Sequence, residues 1–430
     1  MTAKKWAGYF CIALTGALFS NAAVAEDAMC GLSDEAISAA LAKTAGSQQD
    51  LPRIAKVWKG KLKGRIIRVS FSDKPYSITE EALNTASETV NKLYRDMSRN
   101  TFEWDFIIHP TILAAPGTAA EYGANFNSLQ SWITSQIKAA GLARGTDYDV
   151  YIASFPNISV GWAGLSNMSD ADWINGSYSA GVVGHELGHS VSLPHAHSIE
   201  AGSDMFGTPG TTSQTNEYGN PFDIMGRGGN TAHFNAMYKW RIGWEDVGEV
   251  QEVKTSGLYR LYAHDNATHK DRLLSIRVPT GNAAYAYWFE YRTIATAART
   301  GANVLFQGFR SATNLDDWYL DTTPGSKTSG DESDGVLAVG KEFKDKYGEG
   351  SYKVIAVSTG VTGPEAWMDI QVTIPGTSLF PDRHVNLLRP GWDDASAFSL
   401  MGRSLKGSQS SQAIILKGAA GRTQQIMLQR

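Results

Sequence analysis

No stretch of this chain constrains its fold more than Gly184–His197, where four of its nine histidines fall: His185, His189, His195 and His197. Set on a helix, His185 and His189 are one turn apart and project from the same side. At the helical period, Ala180, Val183, Leu187 and Val191 form an apolar stripe almost opposite that pair. The pattern predicts a helix with one face packed on a hydrophobic layer and the other presented to a cleft. Pro194 biases Leu193 away from helical angles, so the chain is expected to leave the helix near Ser192 and turn back with His195.

Neutral imidazoles spaced in this way suit a metal ion. Three of them, His185, His189 and His195, leave a fourth zinc position open for water, which is the catalytic arrangement rather than the closed structural one. Glu186 lies one residue round from His185, beside the ligands rather than among them. A carboxylate there can take a proton from the bound water without occupying a coordination position. The expectation is one catalytic zinc with Glu186 as general base. His197, eight residues after His189, is the alternative third ligand and otherwise has a supporting or surface place.

His185-Glu186-Leu187-Gly188-His189 with His195 resembles the metzincin signature H-E-x-x-H-x-x-G-x-x-H, and Tyr218–Gly226 is similar to the Met-turn segment of bacterial gametolysin-like and immune inhibitor A-like peptidases. The resemblance implies a secreted zinc endopeptidase acting on protein or peptide substrates, with Met225 beneath the zinc histidines. It also implies an α/β (α+β) catalytic domain with an active-site helix, followed by an all-β, sandwich-like domain. The signature has glycine where this chain has Ser192, which bears on the turn more than on the ligands. Arg227 stands where some metzincins place a tyrosine, so no tyrosine ligand is expected. Cys30-Gly31-Leu32-Ser33-Asp34 echoes the cysteine-switch motif C-G-x-P-D, in which a leader thiolate fills the open zinc position; here Ser33 replaces the proline. Asn220 and Asp223 are candidates for calcium, although an Asx turn before Pro221 accounts for them equally well. Gly161–Asn167 reads either as a glycine-rich connector or as an edge strand on which a substrate peptide can lie.

Residues 1–25 read as a signal peptide, with Lys4 and Lys5, an apolar run from Trp6 to Phe19 and the small residues Ala23-Val24-Ala25. No later stretch is apolar enough to span a bilayer. Residues 26–62 read as a leader or short pro-segment, with a helical pattern near Asp34–Lys43. Residues 63–249 alternate strands and helices: strands at Arg65–Phe71, Phe102–His109 and Asp147–Ser154, helices at Ile78–Met97 and Leu129–Ala140. From 250 to 375 short β runs split by turn residues predict a β-sandwich-like domain. Residues 376–430 form a Ser/Gly-rich tail of unassigned role with weak strand signals. The net charge of −4, with Lys and Arg scattered, argues against a nucleic-acid partner. Of two cysteines, Cys11 leaves with the signal peptide, so no intrachain disulfide is expected. The competing reading is an exported binding or adhesion protein with a non-catalytic zinc, against which the intact Glu186 weighs.

Overall fold

The computed structural model describes residues 30–31, 56–246, 248–266, 272–280, 285–294, 300–309, 317–326, 331–348, 350–357 and 365–377, with the backbone of three short strands in the tail. The expected signal peptide and the helical pattern at Asp34–Lys43 lie outside the described residues. Two compact units are present: one holds residues 63–87 and 106–190 together with Cys30 and Gly31, the other holds 56–62, 88–105 and the chain from 191 onward.

The chain runs through β1 (Gly60–Ser70), α1 (Glu80–Met97), β2 (Phe102–Ile108), β3 (Leu113–Ala114), α2 (Ala119–Ala124), α3 (Phe126–Ala139), β4 (Val150–Phe155), β5 (Gly164–Ser166), β6 (Ala171–Asn175) and α4 (Ala180–Ser190). Helix α1 starts later than its apolar spacing suggests because Thr79 Oγ1 accepts from the Ala82 amide and caps it. The strands form one sheet in the order β2-β1-β4-β6-β5, with β3 paired to β1. Strands β1, β4 and β6 are parallel, and β5 runs antiparallel to β6 at the edge. Every residue of β4 and β6 is buried, as expected of parallel strands covered on both faces. Leu129, Ile133 and Ile137 recur one turn apart along α3 and pack into a core with Ile67, Tyr151, Ala153 and Trp173. Helix α4 packs on β5 and β6.

From residue 191 the chain is mostly β: β7 (Ala196–Ile199), β8 (Thr215–Asn216), the short α5 (Ala236–Arg241), β9 (Val250–Glu252), β10 (Gly257–Tyr262), β11 (Ser275–Pro279), β12 (Ala286–Tyr291), β13 (Gly301–Gln307), β14 (Asp317–Tyr319), β15 (Leu337–Ala338), β16 (Glu342–Lys344), β17 (Ser351–Val357) and β18 (Trp367–Thr373). One sheet has the order β8-β7-β14-β13-β12-β11-β9, with β15 on β13; a second has the order β10-β18-β17-β16. Inward residues of both sheets, among them Tyr287, Phe289, Val304 and Phe306 from the first and Leu261, Met368, Ile370 and Tyr352 from the second, share one core. Two sheets closed over a common apolar layer are sandwich-like in the sense the turn-rich sequence predicts. Ile199 and Phe206 also join this core. The three tail strands, Ser396–Ser399, Ile414–Lys417 and Thr423–Ile426, pair antiparallel.

Candidate metal centre

Helix α4 begins where Ser179 Oγ accepts from the Val182 amide. Its apolar stripe is in place, with Val183 and Leu187 fully buried. It ends at Ser190, and Ser192 then takes the left-handed backbone, φ +72°. The resembled signature has glycine here because that conformation costs a non-glycine residue about 1–2 kcal/mol. Ser192 takes that conformation with a β-carbon and bears that cost.

The expected cleft face of α4 is not open. His185, Glu186 and His189 are all fully buried, and Cys30 is buried too. Cys30, His185, His189 and His195 each offer a ligand atom, and the four atoms lie within 4.8 Å of one another. This buried set of one thiol and three imidazoles can hold a metal ion. The Cys30 thiol donates to Glu186 Oε2 at 3.4 Å, and its Sγ is also 3.4 Å from His189 Nε2. The backbone keeps the sulfur there: the Gly31 amide donates to the Gly164 carbonyl at 2.8 Å, and Cys30 forms a parallel bridge with Gly164 on edge strand β5.

Glu186 sits against the same edge. A β-carbon on Gly164 would lie 2.3 Å from Glu186 Oε1, so the carboxylate occupies space that only glycine leaves. Burial pushes the Glu186 carboxyl well above the usual range, and the nearby Asp172 adds to the shift, while the Cys30 thiol opposes it. Asp172, on β6, is itself pushed up to about 7 by burial, against hydrogen bonds from Ser166 and Ser190. Ser190, the last residue of α4, donates to Asp172 Oδ1 at 3.0 Å and so ties the helix end to the sheet.

His195 is gripped on several sides. Its Nδ1 is 2.8 Å from Glu217 Oε1, the Tyr218 ring lies over it at 4.1 Å between centroids, and the Tyr238 hydroxyl donates to its carbonyl at 2.6 Å. Met225 is fully buried, and its carbonyl accepts from the amide of Ala196, the residue after His195. His197 is not among the converging groups. It is buried, not at the surface, and stacks on Trp318 at 4.3 Å. The side-chain oxygens of Asn220 and Asp223 are engaged by the chain itself. Asn220 Oδ1 accepts from the Phe222 amide, Asp223 Oδ1 from the Met225 amide, and Asp223 Oδ2 from Asn235. Spacing in the sequence marks none of Glu217, Gly164 or Asp172. Gly164 falls in the glycine-rich segment that reads either as a connector or as an edge strand.

No protein-family model matches the chain, and no curated protein matches it. Among solved structures, metalloproteinase-II from Bacteroides fragilis is similar over 44% of this chain and 53% of that one, at 13% identity and a TM-score of 0.28. The chain thus spans about half the length of that protein. Wild-type OgpA from Akkermansia muciniphila is similar over 89% of this chain and 96% of its own, at 11% identity and a TM-score of 0.29. Among the described residues, no helix is long and apolar enough to cross a membrane.

Proposed function

We propose that this protein is an exported zinc endopeptidase of the metzincin type, held latent by Cys30. One observation carries the reading: Cys30 Sγ is 3.4 Å from both His189 Nε2 and Glu186 Oε2. The separation of Cys30 Sγ from His189 Nε2 is also within the range for two ligand atoms on one metal ion. Zinc with bonds of about 2.0–2.3 Å sets its ligand atoms about 3.3–3.8 Å apart. One sulfur and three imidazoles are also the donors zinc prefers. The donor set therefore fits.

His185, His189 and His195 would hold the ion, which when bound polarises a peptide carbonyl and makes water acidic enough to attack it. With the thiol displaced, a water in the place of the sulfur lies within reach of Glu186 Oε2. Glu186 takes its proton, holds it in a buried setting that favours the protonated carboxyl, and returns it to the leaving amine. Edge strand β5 supplies the backbone on which the substrate peptide lies, using the Gly164 carbonyl that the Gly31 amide occupies in the latent form.

The closed set of four protein ligands also suits a structural zinc in a binding protein. The two readings part at Glu186, because structural zinc needs no adjacent base. After thiol release with a mercurial, the parent is expected to cleave casein in a chelator-sensitive way. Glu186→Gln should keep its zinc and lose about two to four orders of magnitude in rate. Equal cleavage by parent and Glu186→Gln, with zinc bound in both, refutes the peptidase.

A further inference from the structure

We infer that Glu217 is a positioning residue for the metal site, fixing the His195 imidazole so that Nε2 is the nitrogen that coordinates; the inference rests on the metal-site reading above. A carboxylate oxygen accepts, so the contact of 2.8 Å between His195 Nδ1 and Glu217 Oε1 puts the ring proton on Nδ1. The lone pair is then on Nε2. The Tyr218 ring and the Tyr238 hydroxyl set the tilt and the backbone of the histidine, but neither selects the tautomer. Only Glu217 does.

The local fold is built to bring this carboxylate back to His195. Strand β8 pairs antiparallel with β7, Ser198 opposite Asn216 and Ile199 opposite Thr215, so residue 217 returns alongside the start of β7. Tyr218 then takes the left-handed backbone, φ +57°. A β-carbon on Gly219 would meet Ser198 Oγ at 2.0 Å, so the returning chain lies directly on β7. The Asn220 amide donates to the Ala196 carbonyl and closes the loop. His195 is fully buried, whereas the Glu217 side chain is 42% exposed. Solvent on the carboxylate weakens its bare attraction to the ring, which leaves orientation and tautomer as its main contribution.

The test uses the full chain, stripped of metal and titrated with zinc against a chromogenic chelator. Glu217→Ala should weaken zinc binding by about 10–100-fold, the usual scale for losing such a partner. Glu217→Gln keeps an oxygen that accepts from Nδ1–H and should recover most of that loss. In the zinc-loaded parent labelled with 15N-histidine, one slowly exchanging Nδ1–H resonance should be present that Glu217→Ala lacks and Glu217→Gln retains. Zinc affinity within about twofold of the parent in Glu217→Ala overturns the inference, since the expected loss is at least tenfold. Equal losses in both variants, with a fall in thermal stability, overturn it too, because Glu217 would then serve the fold alone. A parent that binds no zinc removes the metal-site reading and this inference with it.

Discussion

Gly164→Ala isolates the steric requirement behind the arrangement of the base. A β-carbon at this position would lie 2.3 Å from Glu186 Oε1 and 2.7 Å from both Cδ and Cγ, against an ordinary contact of 3.4 Å or more. The Glu186 side chain must therefore retreat by about 1 Å, and a misplacement of that size costs a reacting group about a hundredfold in rate. No left-handed backbone is involved at Gly164, and the Gly31 amide still has its carbonyl to donate to, so the effect is confined to the carboxylate. Overpacking of a buried site costs stability as well, typically about 1–3 kcal/mol. The expected outcome is a variant with full zinc content, a modestly lowered melting temperature and kcat down by about a hundredfold after thiol release, with KM little changed. Steady-state hydrolysis of an internally quenched peptide, with metal analysis of the same sample, measures all of these. A Gly164→Ala enzyme with parental kcat refutes the claim that Glu186 works from the position it holds against β5.

Cys30→Ser removes the sulfur that faces Glu186 and His189 and leaves the strand bridge at Gly164 intact. Its activity without mercurial should match that of the mercurial-treated parent, and equal activity of the untreated parent and the variant refutes the latch. Asp172→Asn tests the buried carboxyl under the end of α4. A folded-state value of about 7 lies above the unfolded value of about 3.9, so the folded protein holds the extra proton and the parent loses stability from this group as pH rises between the two. In metal-free protein the variant should gain on the parent over that window and level off above pH 7, by at most about 4 kcal/mol. A difference in denaturant-derived stability that stays flat from pH 4 to pH 8 would show that the buried charge does not cost what its setting implies.

Where the sequence is legible, one local rule is enough to decide the structure. The spacing of Leu129, Ile133 and Ile137 sets the buried face of α3, and Val183 with Leu187 does the same for α4. The apolar run at Val150–Phe155 gives a strand buried along its whole length. Pro194 and the break after Ser190 are likewise local, which is why the turn at Ser192 follows from the chain itself even without the glycine of the resembled signature. The centre is legible as far as His185, Glu186 and His189, since a single helix carries them.

What remained hidden depends on groups distant in sequence. Glu217 reaches His195 from 22 residues away through the pairing of β7 with β8, and no periodicity records a register. The motif at Cys30 suggests a thiol at the metal position, but not its contact with Glu186 from 156 residues away, held by two backbone contacts to the edge of β5. The apolar stripe predicts which side of α4 packs on the sheet, not that Cys30 meets Glu186 and His189 on the other side. The chemistry shifts accordingly. An open fourth position read from the helix alone suggests a resting active enzyme, whereas a sulfur 3.4 Å from both His189 and the carboxylate would, on the proposed reading, have to leave before Glu186 meets water. On the reading proposed above, sulfur and water would take the same place beside Glu186, and the 3.4 Å contacts of a single sulfur with Glu186 and His189 are what that exchange would have to break.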